Sequence, residues 1–144
     1  MNRPNLKILC LKLESLPEDY EHFGMDDYYY TPNKRYTLPH KALSPTDCGT
    51  VACAAGHAPS AGIVPSSPGM SWEGYIDEYF ELSDDEYYWC FGCEWSDVDN
   101  THQGAAKRIR WMLANGVPDD FEDQIKGVKP LCYMTEQRGN QDAK

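Results

Sequence analysis

Apolar positions along this 144-residue chain recur at helical spacing in several stretches, separated by runs rich in proline, glycine and acids. Over Asn5–Pro17, Leu6, Leu9, Cys10 and Leu13 fall three or four apart with Leu16 next, which predicts an amphipathic helix stopped by Pro17. Pro17–Tyr30 changes character, mixing acids with Tyr20, Phe23, Met25 and three consecutive tyrosines. Phe23 and Met25 flank a glycine, as in a short extended segment. A run such as Tyr28, Tyr29 and Tyr30 cannot turn every ring into one core, so it either packs in part or forms an exposed contact surface. Thr31–Leu43 reads as a loop with one short strand at Arg35–Leu38.

The stretch Ser44–Ala58 is the predicted centre. Ser44 is a suitable N-cap, Pro45 fits the first helical position, and Asp47 suits the positive end of the helix dipole. Pro59, Pro65 and Pro68 cannot extend a helix, so the segment is expected to end near His57 or Ala58. On that helix Cys48, Val51, Ala52 and Ala55 share one face and Cys53 and His57 the opposite one. Small side chains on both faces predict a buried hub against which other elements pack. Past a connecting loop, Ser71 caps an aromatic stripe at Trp72, Tyr75, Ile76, Tyr79 and Phe80. Ser83 and Glu86 form a capping box ahead of Tyr87–Phe91, with Gly92 as the stop.

Asp99 or Asn100 can cap a last long helix ending near Asn115, with Ala105, Ile109, Met112 and Leu113 inward and Lys107, Arg108 and Arg110 outward. Asp119–Lys126 adds one further turn. The resulting expectation is a mainly α fold, with room for a small α+β variant. It is a compact single domain at 1–134 with four to five short helices around a buried small-residue helix, and a polar, frayed tail at 135–144.

Charge narrows the function classes. The formal net charge is −10, and no Lys or Arg lies between Lys41 and Lys107. Such a balance argues against direct binding to nucleic-acid phosphates or anionic membranes. No apolar run approaches the roughly 20 residues that span a bilayer, so a cytoplasmic protein is expected. The acidic middle, interleaved with aromatics, suits an interaction face for a partner with a basic surface. The residues assigned to it are Glu73, Asp77, Glu78, Glu81, Asp84 and Asp85, with Tyr28, Tyr29 and Tyr30.

Six cysteines and four histidines raise metal and thiol chemistry. Cys90 and Cys93 have zinc-knuckle spacing, and Cys53 with His57 at i, i+4 completes a three-cysteine, one-histidine set for a structural zinc. As a redox CxxC, Cys90–Cys93 sits at the wrong, C-terminal end of its predicted helix. Cys48, near a helix N-terminus, is the candidate for a thiol-dependent enzyme, against a reading as a small buried hydrophobe. No HExxH, GxSxG or Gly-rich phosphate loop occurs, so no catalytic residue is assigned.

CGTVACAAGHA at Cys48–Ala58, followed by GAAKRIRWMLANGVP at Gly104–Pro118, resembles a family of small uncharacterised phage and proteobacterial proteins. The resemblance covers most of Leu6–Pro118 and implies a phage or mobile-element setting, with no activity to carry over. Joined to the charge layout, it gives the leading expectation. This is a non-enzymatic acidic protein that binds a basic, nucleic-acid-handling host protein in the host-cell cytoplasm, inhibiting a defence system in the anti-CRISPR manner by nucleic-acid mimicry. A zinc-stabilised structural or regulatory domain and a Cys48-dependent enzyme are the alternatives.

Overall fold

Helices carry most of the fold, as the periodicity predicts. The computed structural model describes residues 1–32, 37–42 and 50–134. Among the described residues α-helices run Arg3–Glu14 (α1), Trp72–Phe80 (α2), Asp84–Phe91 (α3), His102–Asn115 (α4) and Phe121–Ile125 (α5). A two-stranded antiparallel sheet pairs Tyr29–Tyr30 (β1) with Val51–Ala52 (β2), Tyr29 opposite Ala52. Short 3-10 turns occupy Ala55–His57, Pro59–Ala61 and Cys93–Asp97.

α1 packs along α4, α2 against α1, and α3 against α4. Leu6, Leu9, Cys10 and Leu13 of α1 are buried, as are Ala105, Ala106, Ile109 and Met112 of α4. The two alanines let the backbones approach, and the Cys10 thiol reaches the Ala106 carbonyl at 3.8 Å. The pair is tied at its ends: His102 places its ring nitrogens 2.9 Å from the Leu13 carbonyl and 2.8 Å from that of Pro17. On the surface Arg110 pairs with Glu14, its Nη2 2.7 Å from Oε1.

Helix ends are satisfied across elements. Asn2 caps α1 by accepting from the Asn5 N–H, while its own N–H donates to the Phe80 carbonyl at 2.7 Å and Asn5 Nδ2 donates to that of Tyr79 at 2.8 Å. Two carbonyls left open at the end of α2 thus find donors in the start of α1. Ser71 caps α2, and the Ser83–Glu86 capping box is formed at α3. Thr101, rather than Asp99 or Asn100, caps α4 by accepting from the Gly104 N–H.

The predicted hub is buried from Ala52 to Ala58, but it is not a helix over residues 50–58. β2 and a 3-10 turn stand there because the tyrosine-rich segment takes up its backbone groups. Ala52 N–H donates to His22, Gly24 N–H donates to Ala52, and Cys53 N–H donates to Asp27, at 3.0–3.1 Å, and Phe23 bridges Ala52 in parallel. Gly56 makes this docking possible, since a Cβ there would lie 1.7 Å from the Tyr28 carbonyl oxygen. Long-range pairing here overrides local helix signals. The proposed cap and Cys48, at 43–49, lie outside the described residues, as do Arg35 and Tyr36 of the expected strand and the tail at 135–144. Thr37 and Leu38, the described part of that strand, are not in a sheet. Among the described residues no helix is long and apolar enough to cross a membrane.

Candidate functional site

A pocket of about 350 Å³ opens where the Met25–Tyr29 segment faces α3. The capping box fixes where α3 starts, and so its helical phase. That phase presents Tyr87, Tyr88 and Phe91 to the opening, with Cys93 and Glu94 following in the next turn. Glu73 enters from the first turn of α2, and Cys53 from the residue after β2. Met25, Tyr29, Cys53 and Phe91 are buried and form the floor; Asp26, Asp27, Glu73, Glu94 and Tyr88 are exposed and form the rim. Among the described residues the lining contains four carboxylates and no Lys, Arg or His.

The wall is held rigidly. Tyr28 stacks on Trp72 with centroids 5.6 Å apart and planes 17° from parallel, and the Trp72 indole N–H donates to the Thr37 carbonyl at 2.8 Å. The Tyr28 and Tyr87 hydroxyls hydrogen-bond to each other across the pocket. Burial pushes the Tyr28 hydroxyl up, and the bond to Tyr87 adds to the shift; burial raises Tyr87 as well. Both phenols are therefore neutral and keep oxygen lone pairs for a ligand. Burial also pushes the Cys53 thiol up to about 12, and desolvation and the Glu94 hydrogen bond raise that of Cys93. With both thiols protonated at neutral pH, neither is poised for thiolate attack.

Of the face assigned from the sequence, the pocket gathers Glu73, Tyr28 and Tyr29. Tyr30 is exposed on β1 outside it, as are Asp77 and Glu78 on α2, Glu81 at its C-cap, and Asp84 and Asp85 in the first turn of α3. Asp26, Asp27, Tyr87, Tyr88 and Glu94 were not assigned. The mixture of acids and aromatics in 17–30 is the sequence signal that points to the first two; nothing local pairs that segment with α3.

Of the four residues expected to hold zinc, Cys53 and Cys93 both line the pocket, whereas Cys90 and His57 face other partners. Cys90 is buried with its thiol 3.6 Å from Met112 Sδ, while Cys93 is at the surface beside Glu94. The His57 ring lies among Tyr20 and Phe23 with Nδ1 2.8 Å from the Cys53 carbonyl. A carbonyl only accepts, so Nδ1 carries the proton and the buried Nε2 presents an unshared pair with no partner among the described residues. No group of three or more His, Cys, Asp or Glu side chains there is arranged to hold a metal ion. Cys53 and His57 are joined by one i, i+4 turn, the His57 N–H donating to the Cys53 carbonyl at 3.1 Å, yet the ring lies against Tyr20 and Phe23 while Cys53 lines the pocket.

A second aromatic and carboxylate cluster corrects the expectation for Arg108, which has no exposed surface. Its guanidinium carbon lies 4.2 Å from the centroid of the Trp95 ring and 5.7 Å from that of Tyr133. Nη1 is 3.5 Å from Asp99 Oδ2 and donates to the Tyr133 hydroxyl at 3.1 Å; that hydroxyl donates to Asp99 Oδ2 at 2.8 Å. Gly104 leaves the space for this carboxylate, since a Cβ there would fall 2.0 Å from Oδ2. Helical phase, with the turn at Cys93–Asp97 covering that side of α4, puts the cation inside.

Compared with protein families, curated proteins and solved structures, the chain matches none.

Proposed function

We propose that this is a non-enzymatic acidic interaction protein that captures a partner with a basic surface. The observation that carries this reading is the pocket: four rim carboxylates around a lining with aromatic rings, and no basic side chain among its described residues. Outside the pocket, Asp77, Glu78, Glu81, Asp84 and Asp85 add exposed carboxylates on α2, at its C-cap and on α3. A net charge of −10 steers a cationic partner in and repels nucleic-acid phosphates. The partner we favour is a host nucleic-acid-binding protein in the cytoplasm, occluded by charge mimicry as a phage-encoded inhibitor of a defence system would do. The motif resemblance at Cys48–Ala58 and Gly104–Pro118 supports that setting.

The test is capture from host lysate on immobilised protein, eluted with rising salt. One nucleic-acid-binding protein or complex is expected to bind and to elute as screening increases. Reversal of charge at Glu73, Asp77, Glu78 and Glu81 to Lys is expected to reduce its capture at least tenfold; unchanged capture overturns the reading.

A further inference from the structure

We infer that the pocket between the Met25–Tyr29 segment and α3 receives the guanidinium of an arginine side chain presented by the partner. This deepens the proposed function and rests on it only for where the arginine comes from.

Three observations carry the inference. The first is the polarity of the lining: side-chain oxygens of Asp26, Asp27, Glu73 and Glu94 accept hydrogen bonds, and of the Tyr28 and Tyr87 hydroxyls one already donates to the other. A lining so rich in acceptors fits a group that only donates, as guanidinium and ammonium do, and disfavours phosphates and carboxylates. The second is shape. The acceptors enter from three separate segments, two aspartates before β1, Glu73 in α2 and Glu94 after α3, around the rings of Tyr87 and Phe91. Five donors fanned in one plane can reach several of these while the plane lies against a ring; an ammonium places three donors on one strongly hydrated point. A volume of about 350 Å³ admits one long side chain.

The third observation is a precedent inside the molecule. The chain solves the same chemical problem at Arg108, with the guanidinium over Trp95, beside Tyr133 and paired to Asp99. There the aromatic rings and the carboxylate hold an arginine of the same chain. At the pocket the same two kinds of group face outward.

The test titrates the intact protein with three small probes, Nα-acetylarginine methylamide, its lysine counterpart and its citrulline counterpart, following backbone amide signals by NMR. Citrulline keeps the shape of arginine and lacks the charge. The arginine probe is expected to move the signals of Tyr28, Tyr87, Gly92 and Cys93 saturably, with the citrulline probe at least tenfold weaker and the lysine probe severalfold weaker. Equal binding of citrulline or lysine, or shifts scattered away from the pocket, overturns the assignment. Tyr88→Ala and Glu94→Gln alter exposed rim side chains and are each expected to weaken the arginine probe severalfold, while Asp119→Asn, exposed and outside both the pocket and the acidic face, leaves it unchanged. Undiminished binding by both rim variants, with native spectra, overturns the assignment too; should either variant not fold, the probe comparison decides alone. The two readings fail separately. Salt-sensitive partner capture that survives both rim variants sinks the arginine pocket and leaves the acidic partner-binding face. Arginine-probe binding without any basic partner sinks the proposed function and leaves the pocket.

Discussion

Two clusters of aromatic rings and carboxylates in this protein differ in how they treat water. Around Arg108 the cation is supplied by the chain and sealed from solvent, and Asp99 beside it is only 8% exposed. At the pocket aromatic rings again line the site, but Asp26, Asp27, Glu73 and Glu94 stay wet at the rim. The difference shows what each arrangement is good for. A desolvated pair enforces one conformation, because either charge alone would be buried without compensation. Solvated carboxylates cost little when unliganded and strengthen only when an incoming group displaces water from them.

That contrast predicts opposite responses to removal of one carboxylate. Asp99→Ala strands the Arg108 charge and is expected to cost about 3–5 kcal/mol in urea denaturation. A loss below about 1 kcal/mol would mean that water reaches Arg108 in solution and that the two clusters are alike. A smaller effect is expected from pH. The His57 ring is buried among Tyr20 and Phe23, and burial holds its imidazole down at about 4 against the usual 6.5. Between those values the unfolded chain takes up a proton that the folded chain does not, so stability is full above pH 6.5 and falls as the solution is acidified. The loss is on the order of 3 kcal/mol by pH 4. His57→Gln is expected to flatten that part of the pH profile, and an unflattened profile would assign the slope to other groups. Smallest is Glu73→Gln at the rim, expected to change stability by less than about 0.5 kcal/mol. A large destabilisation there would make the pocket a structural ion site like the one at Arg108.

The helices were legible because their signals are local. Ser71 and Ser83 sit where caps are needed, and the stripes Leu6–Leu13, Trp72–Phe80 and Ala105–Met112 turn the same faces inward that their spacing indicates. The hub was half legible. Its small residues announced burial, but they carry no period, and whether Val51 and Ala52 take a helical or extended backbone is decided by Tyr29 and Tyr30, some twenty residues away. Arg108 was assigned to the surface on residue type, although it falls on the helical phase of Ala105 and Met112, and that phase was the better guide. Of the pocket, the sequence offered Glu73, Tyr28 and Tyr29 as part of an acidic face, and Cys53 and Cys93 as metal ligands. The joining of 25–29 to α3 depends on the β1–β2 pairing and on the Tyr28–Tyr87 hydrogen bond, neither of which leaves a mark in either segment alone.

Gly104 has a consequence for inheritance. A side chain of any size at that position displaces the Asp99 carboxylate, and displacing Asp99 strands Arg108. Positions 99, 104 and 108 therefore form a mutational lock, in which the first single change in any direction lands on a less stable protein. A lineage could leave the arrangement only by compensating elsewhere beforehand or by changing these positions in close succession, so divergent descendants of this chain are expected to keep the three together or to have lost them together.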